Sequence, residues 1–174
     1  LSPTRELVVQ TTLEAKEFTS SLGLSLACLY GGSDIKPQIA QLKRGVDIAI
    51  ATPGRLLDLM LLNHGRILSL SSATFVVIDE ADRLFDMGFE PQLEKILCAI
   101  RPDAQKLLFS ATFPKPMEAL ARRALHKPLE IIVGGRNAVC GDIDQQVILV
   151  KREAKFIALL DVLSIYHTPS DQGK

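Results

Sequence analysis

A doubly wound α/β fold built on a parallel sheet is predicted for this 174-residue chain, and three observations predict it. Short apolar runs alternate with stretches whose apolar residues recur every three or four positions, the pattern of strands joined by crossover helices. Runs such as residues 75–78 (FVVI) are continuously apolar, as strands covered on both faces are. Hydrophobic residues make up 47% of the chain and aromatic ones only 5%, which suits one aliphatic core of domain size.

In order, residues 5–22 place Leu7, Thr11, Ala15, Phe18 and Leu22 at helical spacing, so a helix burying that face and closed by Gly23 is expected. Residues 24–30 read as an apolar strand ended by Gly31 and Gly32, residues 34–43 as a helix, and residues 46–51 (VDIAIA) as a second buried strand. Thr52 is a good N-cap and Pro53 suits a first helical position, where its missing N–H would be unpaired anyway. The helix they open runs through Leu56, Leu57 and Met60 toward Asn63. Residues 75–78 form the third strand; residues 83–89 continue from its turn, with Gly88 as an interruption.

Leu93, Ile96, Leu97 and Ile100 then stripe a helix that has Pro91 in its first turn. Residues 106–109 read as a fourth strand, residues 116–125 as a helix with Met117, Leu120, Ala121 and Ala124 inward, and residues 129–133 as a fifth strand. At residues 134–142 (GGRNAVCGD) the composition turns polar and glycine-rich, the mark of a linker. Beyond it, a strand at 146–150 and a helix striped by Phe156, Leu159, Leu160 and Leu163 cannot close a core. They are expected to open a second, truncated domain with an exposed apolar face. The predicted organisation is therefore a first domain over 1–133, a linker over 134–142 and the start of another domain over 143–174.

With 20 basic and 20 acidic residues the formal charge is zero, which disfavours coating of nucleic acid by bulk positive charge. The local basic clusters, Lys43-Arg44, Arg122-Arg123 with His126-Lys127, and Lys151-Arg152 with Lys155, read as solvated helix faces. Cys28, Cys98 and Cys140 lie far apart with no paired spacing, against a zinc site or a disulfide framework and consistent with idle thiols in a reducing compartment. No window reaches the apolar length needed to span a bilayer, and the opening residues lack a signal-peptide pattern. Because the first residue is Leu1 and not Met, a fragment of a longer protein is expected.

Chemistry concentrates at the strand ends. The run FVVIDEAD (75–82) stops abruptly in Asp79, Glu80 and Asp82, and in open α/β sheets that edge is where ligands bind. Carboxylates there could hold a metal and polarise water; the alternative is a core strand followed by solvated acids that start a helix. The fourth strand ends in Ser110, Ala111 and Thr112, on the same edge of a parallel sheet, so hydroxyl contacts to Asp82 are expected beside a simple helix-capping role. Ser2-Pro3-Thr4-Arg5 and Thr52-Pro53-Gly54-Arg55 each set a hydroxyl, a proline and an arginine at a helix start, where free N–H groups and the dipole favour phosphate. Each such contact is worth only about 0.3–1 kcal/mol when exposed, so useful affinity needs several, with the flexible backbone at Gly31 and Gly32 as a further contributor.

Taken in series, PTREL (3–7), GG (31–32), TPGR (52–55), DEAD (79–82) followed by DMGF (86–89), and SAT (110–112) resemble the first RecA-like domain of a DEAD-box RNA helicase, over essentially the whole chain. The resemblance implies a RecA-like helicase domain 1, incomplete at its N-terminus, plus the first strand-helix unit of a second RecA-like domain. It implies ATP and Mg2+ as cofactors, with Asp79 holding the metal through water and Glu80 activating the attacking water. Asp82, Ser110 and Thr112 would couple nucleotide state to domain closure. Pro3, Thr4, Arg5, Gly31, Gly32, Thr52, Pro53, Gly54 and Arg55 would grip one RNA strand by its backbone, independently of sequence.

Residues 116–150 are most similar to the nuclear subgroup that acts on pre-mRNA early in spliceosome assembly, which implies spliceosomal protein partners, a monomer, no membrane association, and a nuclear site of action with the cytoplasm as alternative. One departure is large: G-x-x-x-x-G-K-[ST] is absent, and the one Gly-Lys pair, Gly173-Lys174, has Thr168 five positions before its glycine. The phosphate-cradling loop is expected to precede Leu1 and the second-domain motifs to follow Lys174, so this chain alone should not turn over ATP. The rival readings are a truncated product that binds RNA or a splicing partner without catalysis, and a RecA-like ATPase acting on DNA.

Overall fold

Each apolar run followed by a helical stretch returns the chain to one side of a sheet, and four short parallel strands result. The computed structural model describes residues 1–113, 115–133 and 142–166, in two compact units, Leu1–Arg136 and Asn137–Lys174. In the first unit the order is α1 (Arg5–Leu22), β1 (Leu26–Leu29), α2 (Lys36–Lys43), β2 (Ile48–Ala51), α3 (Pro53–Leu61), β3 (Phe75–Ile78), α4 (Ala81–Asp86), α5 (Glu90–Ala99), β4 (Gln105–Leu108) and α6 (Lys115–Ala124). A 3-10 turn, Leu62–Gly65, follows α3, with Asn63 and His64 both left-handed. β1 pairs in parallel with β2, Leu26 opposite Ile48, and β3 pairs in parallel with β4, Phe75 opposite Gln105.

Leu1 and Ser2 join the two pairs. The Leu1 amine donates to Val77 O at 2.7 Å, Asp79 N donates to Leu1 O at 2.9 Å, and Ser2 N donates to Ala51 O at 3.1 Å. The order across the unit is therefore β1, β2, the Leu1 segment, β3, β4.

Side chains alternate across β1 as strand geometry requires. Ala27 and Leu29 enter a core with Ala51, Leu56, Leu59 and Ile96, drawn from β2, α3 and α5, while Cys28 Sγ meets Val8 O of α1 at 4.0 Å. Helices thus cover both faces. A second core cluster, Ile78, Ala81, Leu84, Leu93, Met117 and Leu120, ties β3 to α4, α5 and α6. The acidic strand end and the segment after β4 are anchored on this cluster.

Several sequence expectations need correction. α1 ends at Gly23 as expected, with φ 67, but its buried face is Val8 and Thr19, while Phe18 and Leu22 are each 70% exposed. Thr19 hides its hydroxyl at low cost because it donates to Lys16 O at 3.4 Å, so a residue that looks polar sits inward and lets the helix approach the strands. Thr52 stands at the N-cap of α3 with extended dihedrals, yet its side chain makes no capping bond. β3 is not covered along its length: only Ile78 is fully buried, and Phe75 is 55% exposed.

Residues 129–133 form no strand, and their apolar side chains are exposed, Val133 at 93%. An extended segment becomes a strand only where a neighbour offers its backbone, and neither strand pair takes this one in. In the second unit residues 146–150 are likewise unpaired, and a 3-10 turn, Arg152–Ala154, leads into α7 (Lys155–Tyr166). Phe156, Leu159, Leu160 and Leu163 on α7 are all exposed. Of the expected linker, residues 134–141 lie outside the described residues.

Candidate active site

Parallel pairing brings the carboxyl ends of all four strands to one edge, and each end is followed at once by polar residues. The β3–β4 half carries the acids. Asp79 leaves the sheet with its carboxylate exposed, and Oδ1 accepts from Glu80 N at 2.9 Å. Glu80 is left-handed, φ 48 and ψ 51, a conformation that costs a non-glycine residue roughly 1–2 kcal/mol. That kink turns the chain sharply from β3 into α4. Arg83 Nη1 reaches Glu80 Oε2 at 3.3 Å and holds the carboxylate at the lip of the edge.

Asp82 fastens the two strand ends together. Its Oδ2 accepts from Thr112 N at 3.0 Å and from Thr112 Oγ1 at 2.8 Å, and its own N–H donates to Ser110 Oγ at 3.1 Å. Ser110 Oγ in turn donates to Thr112 O at 2.7 Å, and Ala81 N donates to Phe109 O at 3.0 Å. Burial pushes the Asp82 carboxyl up, but the hydroxyls of Thr112 and Ser110 and the N–H groups of Thr112 and Arg83 outweigh it, and the carboxyl is held below its ordinary range. Asp79, Glu80, Asp82, Arg83, Asp86, Phe109, Ser110 and Ala111 line an open cleft of about 600 Å³. Among the described residues no three metal-ligating side chains converge. A donor set with one forward carboxylate fits a hydrated magnesium ion carried in with phosphates, since Mg2+ keeps most of its waters, and does not fit a cage for bare metal.

The β1–β2 half of the edge gathers the other residues singled out in the sequence. Pro3 is fully buried, and Thr4 Oγ1 caps α1 by accepting from Leu7 N at 3.3 Å. Arg5 lies with Cζ 4.9 Å from the centre of the Tyr30 ring, a cation–π contact between the first motif and the end of β1. Gly31 and Gly32 are exposed, Gly32 at φ 73, and open space surrounds both. Thr52 and Pro53 are buried, and Gly54 is half-exposed with open space around it. Arg55 is only 9% exposed. Its Nη2 donates to Ser33 O at 3.0 Å, its Nε lies 4.0 Å from the Asp58 carboxylate, and Nε and Nη1 are buried without a hydrogen bond.

Of the β3–β4 half, Asp82 meets Ser110 and Thr112 as expected. Arg55 does more inside the protein than a surface fork would, since it braces residue 33. Sequence reading gave no role to Tyr30, Ser33, Gln38 or Arg83, and took Asp86 only as part of DMGF. Only Gln38 carried a signal: it shares the inward side of α2 with the partly buried Ile35, Ile39 and Leu42, where a polar residue is unusual. The basic cluster at the end of α6 is spent on ion pairs, Arg123 with Glu90 and Glu94 of α5 and Arg122 with Glu118.

The DEAD/DEAH box helicase family model matches residues 1–120. The chain is 55% identical to the probable ATP-dependent RNA helicase DDX46 of Homo sapiens over 166 residues, 95% of this chain and 16% of that protein. It is 58% identical to the pre-mRNA-processing ATP-dependent RNA helicase PRP5 of Lodderomyces elongisporus over 179 residues, 100% of this chain and 18% of that protein. The chain thus spans about a sixth of the length of these curated relatives. Among solved structures it is similar to a DEAD box protein from Methanococcus jannaschii, with a TM-score of 0.71, 37% identity, and coverage of 94% of this chain and 43% of that one. A hypothetical ATP-dependent RNA helicase from Sulfolobus tokodaii matches with a TM-score of 0.67 at 37% identity, over 72% of this chain and 37% of that one.

Proposed function

The chain belongs to the DEAD/DEAH box helicase family, and from that premise we infer that it carries the acidic half of an ATP-hydrolysing site and one face of an RNA grip in a pre-mRNA-processing RNA helicase. The observation that supports this reading most is the join between Asp82 and the Ser110 to Thr112 segment. It welds the acidic turn to the next strand end, so a displacement at one is felt at the other.

In this reading Asp79 holds magnesium through water, and the metal neutralises charge on the phosphates during transfer. Glu80, turned outward by its left-handed backbone and steadied by Arg83, orients the attacking water and receives its proton. Asp82, Ser110 and Thr112 pass the change at the acids to the segment after β4. Along the other half of the edge lie Pro3, Thr4, Arg5, Gly31, Gly32, Thr52, Pro53, Gly54 and Arg55, of which Arg5, Gly31, Gly32 and Gly54 face outward toward one RNA strand while the buried Pro3, Thr52, Pro53 and Arg55 support them. The available donors are backbone N–H groups and the exposed Arg5 guanidinium, which suit phosphate and carry no sequence information. Domain closure around RNA, driven by ATP, would then separate short duplexes or remodel RNA–protein contacts, in the nucleus and beside spliceosomal proteins, with a monomer as the working unit.

The test is Glu80→Gln in the full-length protein. RNA-stimulated ATP hydrolysis should fall by at least about a hundredfold, the lower range for a positioned acid–base group, while nucleotide affinity stays within a few-fold. Turnover at the parent rate would sink the role given to Glu80.

A further inference from the structure

Gln38 lies in α2, outside every motif that marks the RNA face, and is only 5% exposed. Its Nε2 donates to Tyr30 O at 3.1 Å and to Ser33 Oγ at 3.0 Å, so one amide closes both ends of the loop that carries Gly31 and Gly32. From the other side Arg55 Nη2 holds Ser33 O at 3.0 Å, and Arg5 covers the Tyr30 ring. Within the loop a single hydrogen bond helps to hold this shape, Ser33 Oγ donating to Tyr30 O at 3.3 Å. Neither glycine has a side chain, no atom comes within 4 Å of where a Cβ would stand, and Gly32 is left-handed at φ 73. Glycine has the most conformations to lose on ordering, so most of the brace comes from outside the loop, from Gln38 and Arg55.

Gln38 is also a poor choice for stability alone. Its Oε1 is buried and accepts no hydrogen bond, a cost that an apolar side chain of the same length would avoid. Its donor half faces the loop and nothing else. We propose that Gln38 is a positioning residue for RNA, holding residues 30–33 together with the buried Arg55 so that the exposed Gly31 and Gly32 backbone is preset for one stretch of RNA backbone. The assignment rests on the RNA reading of those segments. A preset loop lowers the ordering cost at the moment of binding and so acts on RNA affinity, leaving the hydrolytic step alone.

The test uses Gln38→Met, close to glutamine in length and free of the donor, in the full-length protein, with ATPase rate measured against RNA concentration. The KM for RNA should rise about tenfold, while kcat at saturating RNA and the KM for ATP stay within about twofold, and the thermal midpoint should hold or rise as the unpaired oxygen is removed. Gly54→Asp serves as the control for the RNA reading. It adds negative charge on the same face, where open space accepts the side chain, and should also raise the KM for RNA. A raised KM in Gly54→Asp beside an unchanged one in Gln38→Met overturns the role of Gln38 alone. No change in either overturns the RNA reading of this edge and the proposal with it, and a lower midpoint with unchanged KM in Gln38→Met marks Gln38 as a fold residue and nothing more.

Discussion

At the residue scale, Asp82 shows how chemistry written in the sequence is completed by a contact that is not. An acid after a strand is legible, and so is a hydroxyl after the next strand, but only the folded chain sets Asp82 Oδ2 2.8 Å from Thr112 Oγ1. The bonds favour the carboxylate, so its folded pKa lies below the ordinary 3.8. The sign follows from linkage: the contribution to stability is complete above the unfolded value and is lost as pH falls through the lower folded one. Asp82→Asn should therefore cost about 1.5 kcal/mol at neutral pH, the low end for bonds to a charged group because the side chain is partly exposed, and should flatten the loss of stability below about pH 4. Urea unfolding across pH would read this, and an acid limb identical in the two proteins would rule it out. Gln38 is the converse case. Its type suggests nothing until Tyr30 and Ser33 are seen folded over it.

At the element scale, helix starts that look alike in sequence differ in the fold. Thr4 and Thr52 both precede a helix, yet only Thr4 Oγ1 accepts from a free helix N–H, that of Leu7 at 3.3 Å. Thr4→Val should lower stability by about 1 kcal/mol through loss of the cap, and Thr52→Val should leave it within about 0.5 kcal/mol. Chemical denaturation of the two variants separates them, and an equal loss would show that Thr52 also caps. For α1 the spacing of Leu7, Phe18 and Leu22 established a helix and its length but misplaced its inner face, because Val8 and Thr19 dock instead. The pair α5 and α6 was legible as two helices; the Arg123 bonds to Glu90 and Glu94 that bridge them were not, since they join residues about 30 positions apart in the chain. Exposed ion pairs of this kind add only about 0–1 kcal/mol.

At the scale of the whole molecule, the first unit builds its core around two strand pairs joined through Leu1 and Ser2, and the second offers α7 without one. Phe156, Leu159, Leu160 and Leu163 are each about half or more exposed, a contiguous apolar face that promotes association. Leu159→Lys with Leu163→Lys should raise the solubility of this chain severalfold and leave the thermal midpoint of the first unit unchanged; a lowered midpoint would mean that the face is packed in solution. By itself the sequence determined the α/β order, nearly every helix, and the strand ends at which the carboxylates of Asp79, Glu80 and Asp82 and the hydroxyls of Ser110 and Thr112 emerge, because periodicity, caps and residue type are local properties. Only the tertiary structure decided which side of α1 faces inward, that residues 129–133 and 146–150 stay unpaired, and that Gln38 and Arg55 clamp the glycine loop. A period states that a face exists but not how the helix is rotated, a strand needs a neighbour's backbone to become one, and a brace is defined by two segments that meet only when the chain has folded.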